Sequence, residues 1–303
     1  MIDTFIPHMM KRMLSVLLVL LFGCETGGGG RQGSTLLVAS YNLRFDIAKD
    51  EGDNAWEVRR DRVLRVIRKG AFDLIGFQEM TDTMFPYLRD RLPEFRFSKG
   101  RQGCGSKTIA YRPEKFDLVE DGEFAISTTP DDFERKEWGC SSVRFGQFAL
   151  FRVKAGGRLV RVINVHPDWL QQESRTEGMK QVLLKRVREA EARGETVVLM
   201  GDMNDDPDVP RPKWARDSAA YPWGGSILAA KDALNDAYEI SETTPTGPKN
   251  SAHGFKPVGT SRLDHIFLTR GVRVKSYRTH DDRSGGGYPS DHDAVSAEID
   301  LNL

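Results

Sequence analysis

The segment Thr196-Val197-Val198-Leu199-Met200-Gly201-Asp202-Met203-Asn204-Asp205 constrains the fold more than any other. Residues 197–200 are β-branched or aliphatic without a polar break, as in a strand buried on both faces. The run stops at Gly201, where the backbone bends or is closely approached, and then delivers Asp202, Asn204 and Asp205. Residues two apart on an extended chain face the same way, so Asp202 and Asn204 can share one water or one phosphate oxygen. A strand that carries acids out of a core is a common place for chemistry. A strand followed by an Asx-capped turn accounts for the same letters, so the reading needs partners elsewhere.

The pattern recurs along the chain. Residues 36–41 read as a strand running into Asn42-Leu43-Arg44, residues 73–77 as one ending in Gln78-Glu79, and residues 159–166 as one ending in Asn164-Val165-His166. Residues 261–268 carry Asp264 into an apolar strand, and Ser290-Asp291-His292 precedes a closing strand over 294–299. Helices are expected over 56–69, with Asn54-Ala55 as the cap, over 80–92 and over 173–193. The last has Met179, Val182, Leu183 and Val187 on one face. Short strands at 95–97, 108–111, 116–119 and 147–153, three of them following one another without a helix, predict antiparallel pairing. Residues 207–257 carry weak signals, with Trp214 and Trp223 as packing anchors.

The N-terminus has the pattern of a targeting segment. Lys11 and Arg12 precede an apolar run over 13–22, and Gly23-Cys24 follows. That run fits a secretory signal and is too short to span a bilayer. The ending Leu21-Phe22-Gly23-Cys24 resembles a bacterial lipoprotein box, which implies a signal over 1–23 and attachment to the inner or outer membrane through a lipidated Cys24. A Gly-rich tether then covers 24–34, and one domain covers 35–303. Without the first 23 residues the chain keeps 42 basic and 43 acidic side chains, a balance that argues against non-specific binding to long nucleic acid. Cys104 and Cys140 can pair in an exported protein or stand as isolated thiols, and neither lies in a zinc pattern.

The strand ends bring together Asn42, Glu79, Asn164, His166, Asp202, Asn204, Asp264, Asp291 and His292. Burying so many acids without cations costs several kcal/mol each. A divalent metal and a phosphate would satisfy them. The donors are oxygens, which points to Mg²⁺, Mn²⁺ or Ca²⁺ rather than zinc.

These residues carry a resemblance to a known family. Ser40-Tyr41-Asn42-Leu43-Arg44, Gln78-Glu79, Ile109-Ala110-Tyr111-Arg112, Asn164-Val165-His166, Gly201-Asp202-Met203-Asn204, Arg262-Leu263-Asp264 and Ser290-Asp291-His292 occur in its order. Together they resemble the endonuclease/exonuclease/phosphatase superfamily, in a bacterial secreted branch. The resemblance implies an α/β fold, a four-layer sandwich of two packed mixed β-sheets flanked by helices. It also implies a divalent-metal-dependent phosphoesterase whose substrate is nucleic acid or a small phosphodiester, with water attacking in line. A phosphomonoesterase or phospholipid head-group diesterase on small substrates is the alternative, and a non-catalytic lipoprotein that binds phosphorylated ligands is a reading of another class.

Residue by residue, the resemblance makes Glu79 the main metal carboxylate, with Asn42 beside it and Asp291 completing the shell. Asp202 resembles the acid that activates water and Asn204 the amide on the phosphoryl oxygen. His166 and His292 resemble donors to phosphate, and Asp264 the carboxylate that fixes His292. Asn164 and Arg144 are expected to contact substrate. Many relatives carry Asn-Thr-His with a further His three positions on, where this chain has Val165 and Trp169. Trp169 then serves as a platform for a sugar, base or lipid, or as a packed loop anchor.

Overall fold

Alternation along the strands decides where the site forms. The structure, a computed structural model, describes residues 35–47, 49–98 and 107–302. The expected signal, the tether with Cys24, and Cys104 lie outside the described residues. In β1 (Thr35–Asn42) Leu36 and Val38 point into one apolar core, while Ala39 and Tyr41 point into another. β2 (Leu74–Gln78) does the same with Leu74 against Ile75 and Phe77. β7 (Leu159–Val165) and β8 (Thr196–Asp202) divide likewise, Val160, Val162, Val198 and Met200 on one side and Ile163, Val165, Val197 and Leu199 on the other.

The shared core therefore lies between two sheets, and each outer face is covered by helices. α1 (Trp56–Gly70) and α2 (Met84–Arg91) pack on one sheet. On the other lie α3 (Gln172–Glu177), a π-helical turn over Gly178–Leu183, α4 (Leu184–Ala192) and α5 (Gly225–Ala233). This is the expected four-layer α/β sandwich. The remaining strands are β3 (Arg96–Ser98), β4 (Lys107–Tyr111), β5 (Phe116–Ala125), β6 (Phe145–Val153), β9 (Asn235–Asp236), β10 (Asp264–Leu268), β11 (Arg273–His280) and β12 (Ala294–Asp300).

The sheets have orders β11-β12-β1-β2-β4-β3 and β5-β6-β7-β8-β10-β9. In each, one central pair is parallel, β1 with β2 and β7 with β8, and the other pairings are antiparallel. The middle of the chain builds one sheet and its two ends build the other in a matching order, and each parallel pair sends its carboxyl ends to one edge of the sandwich.

β8 is buried at all seven positions. Each such aliphatic side chain stabilises the fold by about 1.5–3 kcal/mol. Gly201 is required there: its φ is 151° and a Cβ would stand 1.9 Å from the Val165 carbonyl oxygen of the neighbouring strand.

Several elements differ from expectation. α2 begins at Met84 rather than near 80, because Glu79 takes a left-handed φ of 58° and the chain must turn first. β5 runs on to Ala125, beyond the expected 116–119, because Gly122, Phe124 and Ala125 are buried and stay paired with β6. α5 falls in the weakly patterned region, where its alanines conceal any helical period. Trp214, expected as an anchor, is 40% exposed.

Candidate active site

The inward stripe of each central strand is apolar at mid-sheet and polar at one end. Asn42 continues the stripe of Leu36 and Val38, His166 that of Val160 and Val162, and Asp202 that of Val198 and Met200. Antiparallel β10 starts at the same edge, so Asp264 stands opposite Asp202 in the ladder. The loop before β12 adds Asp291 and His292, and the Ser290 hydroxyl donates to the Asn42 carbonyl at 2.7 Å.

His292 lies between the two opposed acids. Its Nδ1 is 2.7 Å from Asp264 Oδ2 and its Nε2 is 3.7 Å from Asp202 Oδ2. Burial alone would strip its proton, but Asp264 and then Asp202 outweigh it and hold the imidazole's pKa well above its ordinary value. The Ser251 hydroxyl donates to the same Asp264 oxygen at 2.7 Å, fixing the carboxylate from behind. Burial raises the pKa of Asp202, with His292 pulling the other way. Its Oδ1 accepts the Asn204 N–H at 2.9 Å and its Oδ2 the Asn42 amide at 2.9 Å.

Asn42 also donates to Glu79 Oε1 at 3.1 Å, and its own Oδ1 accepts the Arg44 N–H at 2.9 Å. Its Nδ2 therefore aligns Glu79 and Asp202, while its Oδ1, the atom a metal would take, lies on the Arg44 N–H. Burial, then the charge of Asp291, raises the pKa of Glu79, whose other oxygen accepts the Phe45 N–H at 2.8 Å. Arg44 reaches Asp291 only at 3.6 Å, because Asp50 engages it at 2.7 Å. Glu79 thus lies within the field of Asp291 while Arg44 is held mainly by Asp50, and two such carboxylates suit a hard divalent cation. Among the described residues no three Asp, Glu, His or Cys side chains close into a ready-made cage. Magnesium is commonly held by one or two carboxylates, with water and substrate phosphate completing its shell.

His166 Nε2 is 3.4 Å from Asp202 and 3.8 Å from Glu79. Burial, then Arg144 and Lys107, hold its pKa well below the ordinary value, so it enters the site as a neutral imidazole. Arg144 is tethered at 3.4 Å by Asp168, which also accepts N–H groups from Ser141, Leu170 and Gln171. Burial opposes ionisation of Asp168, but these donors and Arg144 prevail and lower its pKa. Asn204 donates to the Pro167 carbonyl at 3.3 Å, and Trp169 is 46% exposed just beyond.

Asn164 is corrected. It is 0% exposed, donating to the Phe77 carbonyl at 2.9 Å and accepting Gln78 Nε2 at 2.8 Å. It ties the two sheets together and has no polar atom left for substrate. Sequence reasoning missed Arg59, which is fully buried and donates to the carbonyls of Leu43, Arg44 and Pro289, clamping the exit of β1 to the Asp291 loop. A charged residue on an otherwise amphipathic helix gives no sign of this. Ser251 was missed for the same reason, its role lying 13 residues away at Asp264.

The family model described as the Endonuclease/Exonuclease/phosphatase family matches residues 39–292. The chain belongs to that family. Its members are hydrolases of phosphoester bonds, as this chain is, and the family generally depends on a divalent cation. Among solved structures it is similar to an endonuclease/exonuclease/phosphatase family protein from Bacteroides thetaiotaomicron. The two share 27% identity and a TM-score of 0.75, over 90% of this chain and 100% of that one. It is similar to a mannosyl-6-phosphatase from the same organism, with 27% identity and a TM-score of 0.75 over 87% of this chain and 99% of that one. Truncated TDP2 from Caenorhabditis elegans, at 19% identity and a TM-score of 0.64 over 88% of this chain and 98% of that one, shares the family fold. No curated protein matches the sequence.

Proposed function

We propose that the chain hydrolyses phosphate monoesters of small sugars, with Mg²⁺ held between Glu79 and Asp291. The observation that carries the reading is the convergence on Asp202 Oδ2, which has Asn42 at 2.9 Å, His166 at 3.4 Å and His292 at 3.7 Å. Asp202, with its raised pKa, takes the proton of the attacking water. The protonated His292 donates through Nε2 to a non-bridging oxygen, and neutral His166 and Arg144 hold a second. Asn204 orients the phosphoryl group. A divalent cation at Glu79 and Asp291 supplies charge neutralisation for the phosphate and the departing oxygen.

The sequence alone puts a nuclease or other diesterase first. The balanced charge of 44 basic and 44 acidic residues and the sugar-phosphatase relative favour the small monoester. The deciding assay follows phosphate release, with Mg²⁺, from glucose 6-phosphate, mannose 6-phosphate and glycerol 3-phosphate beside bis(p-nitrophenyl) phosphate and single-stranded DNA. Release from the hexose phosphates is expected. Turnover confined to diesters or DNA overturns the substrate, and none with any divalent ion overturns the site.

Export with a lipid anchor at Cys24 completes the proposal and rests on the sequence pattern over 11–24. The mature protein should partition into detergent, and Cys24→Ala should abolish that partition. A wholly soluble wild-type protein removes the anchor.

A further inference from the structure

Three residues after His166, Trp169 joins Trp214 as a pair of exposed tryptophans that no step above uses. Trp169 is 46% and Trp214 40% exposed, although indoles are normally covered. Their ring centroids are 5.9 Å apart with planes at 43°, so they form a shallow V. Trp223 supports Trp214 edge-on at 5.9 Å, and the Arg175 guanidinium lies over Trp223 at 5.1 Å.

The V is fixed in place. The segments that bear the two rings are joined by backbone hydrogen bonds, Gln172 N–H to Arg216 O at 2.9 Å and Arg216 N–H to Leu170 O at 2.7 Å. Buried Arg175 donates to the Asp168 carbonyl at 2.8 Å, and the Asp168 carboxylate accepts the Leu170 N–H at 2.8 Å. The ledge is also tied to the catalytic residues, because Asn204 holds Pro167 at 3.3 Å. Three residues of chain reach at most about 11 Å, so the Trp169 backbone lies within that distance of His166.

We propose that Trp169 and Trp214 form the subsite for the leaving group, and that this group is the pyranose ring of a hexose phosphate. The inference deepens the sugar-phosphatase reading and rests on it. A pyranose offers a puckered face of C–H groups, which a tilted pair of indoles can follow. Planes tilted by 43° with centroids 5.9 Å apart cannot sandwich a flat base between them. Rigid aromatic area costs little ordering entropy on binding, so the pair acts mainly through affinity.

The test compares wild type with Trp169→Ala, Trp214→Ala and Trp169→Phe, using glucose 6-phosphate, mannose 6-phosphate, glycerol 3-phosphate and adenosine 5′-monophosphate. The alanine variants should raise KM for the hexose phosphates about tenfold with little change in kcat, and the preference over glycerol 3-phosphate should fall accordingly. Phenylalanine should restore much of the loss. Intrinsic fluorescence, followed during titration with the hexose 6-phosphates in chelator, reports binding without turnover. The wild-type signal should move with the sugar phosphate, and the alanine variants should lose that response. If wild type cleaves hexose phosphates while the variants keep KM and the fluorescence response, the ledge is refuted and the catalytic reading stands. If no monoester is cleaved yet the response is present and depends on the tryptophans, the catalytic reading falls and the sugar site survives. Loss of affinity for the nucleotide alone makes the ledge a base platform and overturns the proposal.

Discussion

Asp202 and Asp264 stand directly opposite each other in the β8–β10 ladder, with His292 placing one ring nitrogen toward each, at 3.7 and 2.7 Å. Like charges paired across strands destabilise a sheet. Here the imidazolium between them compensates. The pairing makes His292 both a brace for the sheet edge and a proton donor aimed into the site.

Asp264→Asn should therefore shift the pH profile as well as lower the rate. Asp264 raises the His292 pKa, so without it the imidazole loses its proton earlier and the alkaline limb of kcat/KM moves to lower pH. The rate should fall on the order of 10²-fold, as for other removed transition-state donors. Combining it with His292→Ala should add little to His292→Ala alone, because the two act as one unit. Additive losses, or an unmoved alkaline limb, would show that Asp264 serves something else.

Glu79→Gln should retain the fold and lose metal dependence. The raised pKa of Glu79 reflects burial and a neighbouring acid, both relieved by the substitution, so stability without metal should hold or rise. The wild-type melting temperature should climb with millimolar Mg²⁺, whereas that of the variant should not. Equal Mg²⁺ shifts in both proteins would remove Glu79 from the cation site.

Most of the site was legible because strand polarity and the two-residue period act together. Once residues 36–41, 159–166 and 197–200 are strands, Asn42, His166 and Asp202 must fall on the stripe of their apolar partners. What could not be read was which polar residue faces out of the sandwich and which faces into it. Asn164 and His166 lie on the same stripe, but one bonds across the sheets while the other reaches the edge. Likewise only the hydrogen bonds of Asn42 to Glu79 and Asp202 show that its amide aligns the two acids. Arg59 and Ser251 act through contacts distant in sequence and leave no local pattern.

Asn164→Ala separates a strut from a substrate contact. Removing the amide takes a donor from the buried Phe77 carbonyl, while Gln78 Nε2 keeps Ser40 Oγ and the Gly76 carbonyl. Stability should fall by about 1–3 kcal/mol for each group left unsatisfied. The substrate KM, measured well below the melting temperature, should stay close to that of wild type. A KM increase of tenfold or more at unchanged stability would return Asn164 to the binding site.

The cluster beneath the Arg262-Leu263-Asp264 segment sets an acid limit on the fold. Asp236 Oδ2 meets Arg262 Nη1 at 2.8 Å and His265 Nδ1 at 3.1 Å, all three side chains buried. Burial would raise the Asp236 pKa, but His265 and Arg262 prevail and depress it far below the usual carboxylate range. A depressed carboxylate stabilises the fold above its unfolded pKa of about 3.9, and that stability is lost as pH falls toward the folded value. Asp236→Asn leaves Arg262 without its anion and should cost about 3–5 kcal/mol at neutral pH. Urea unfolding should show that difference smaller at about pH 3, where wild type has given up part of the same contribution. It should also lower activity, since Arg262 lies two residues before Asp264 on the same chain segment. A difference of the same size at both pH values would show that the loss is packing alone.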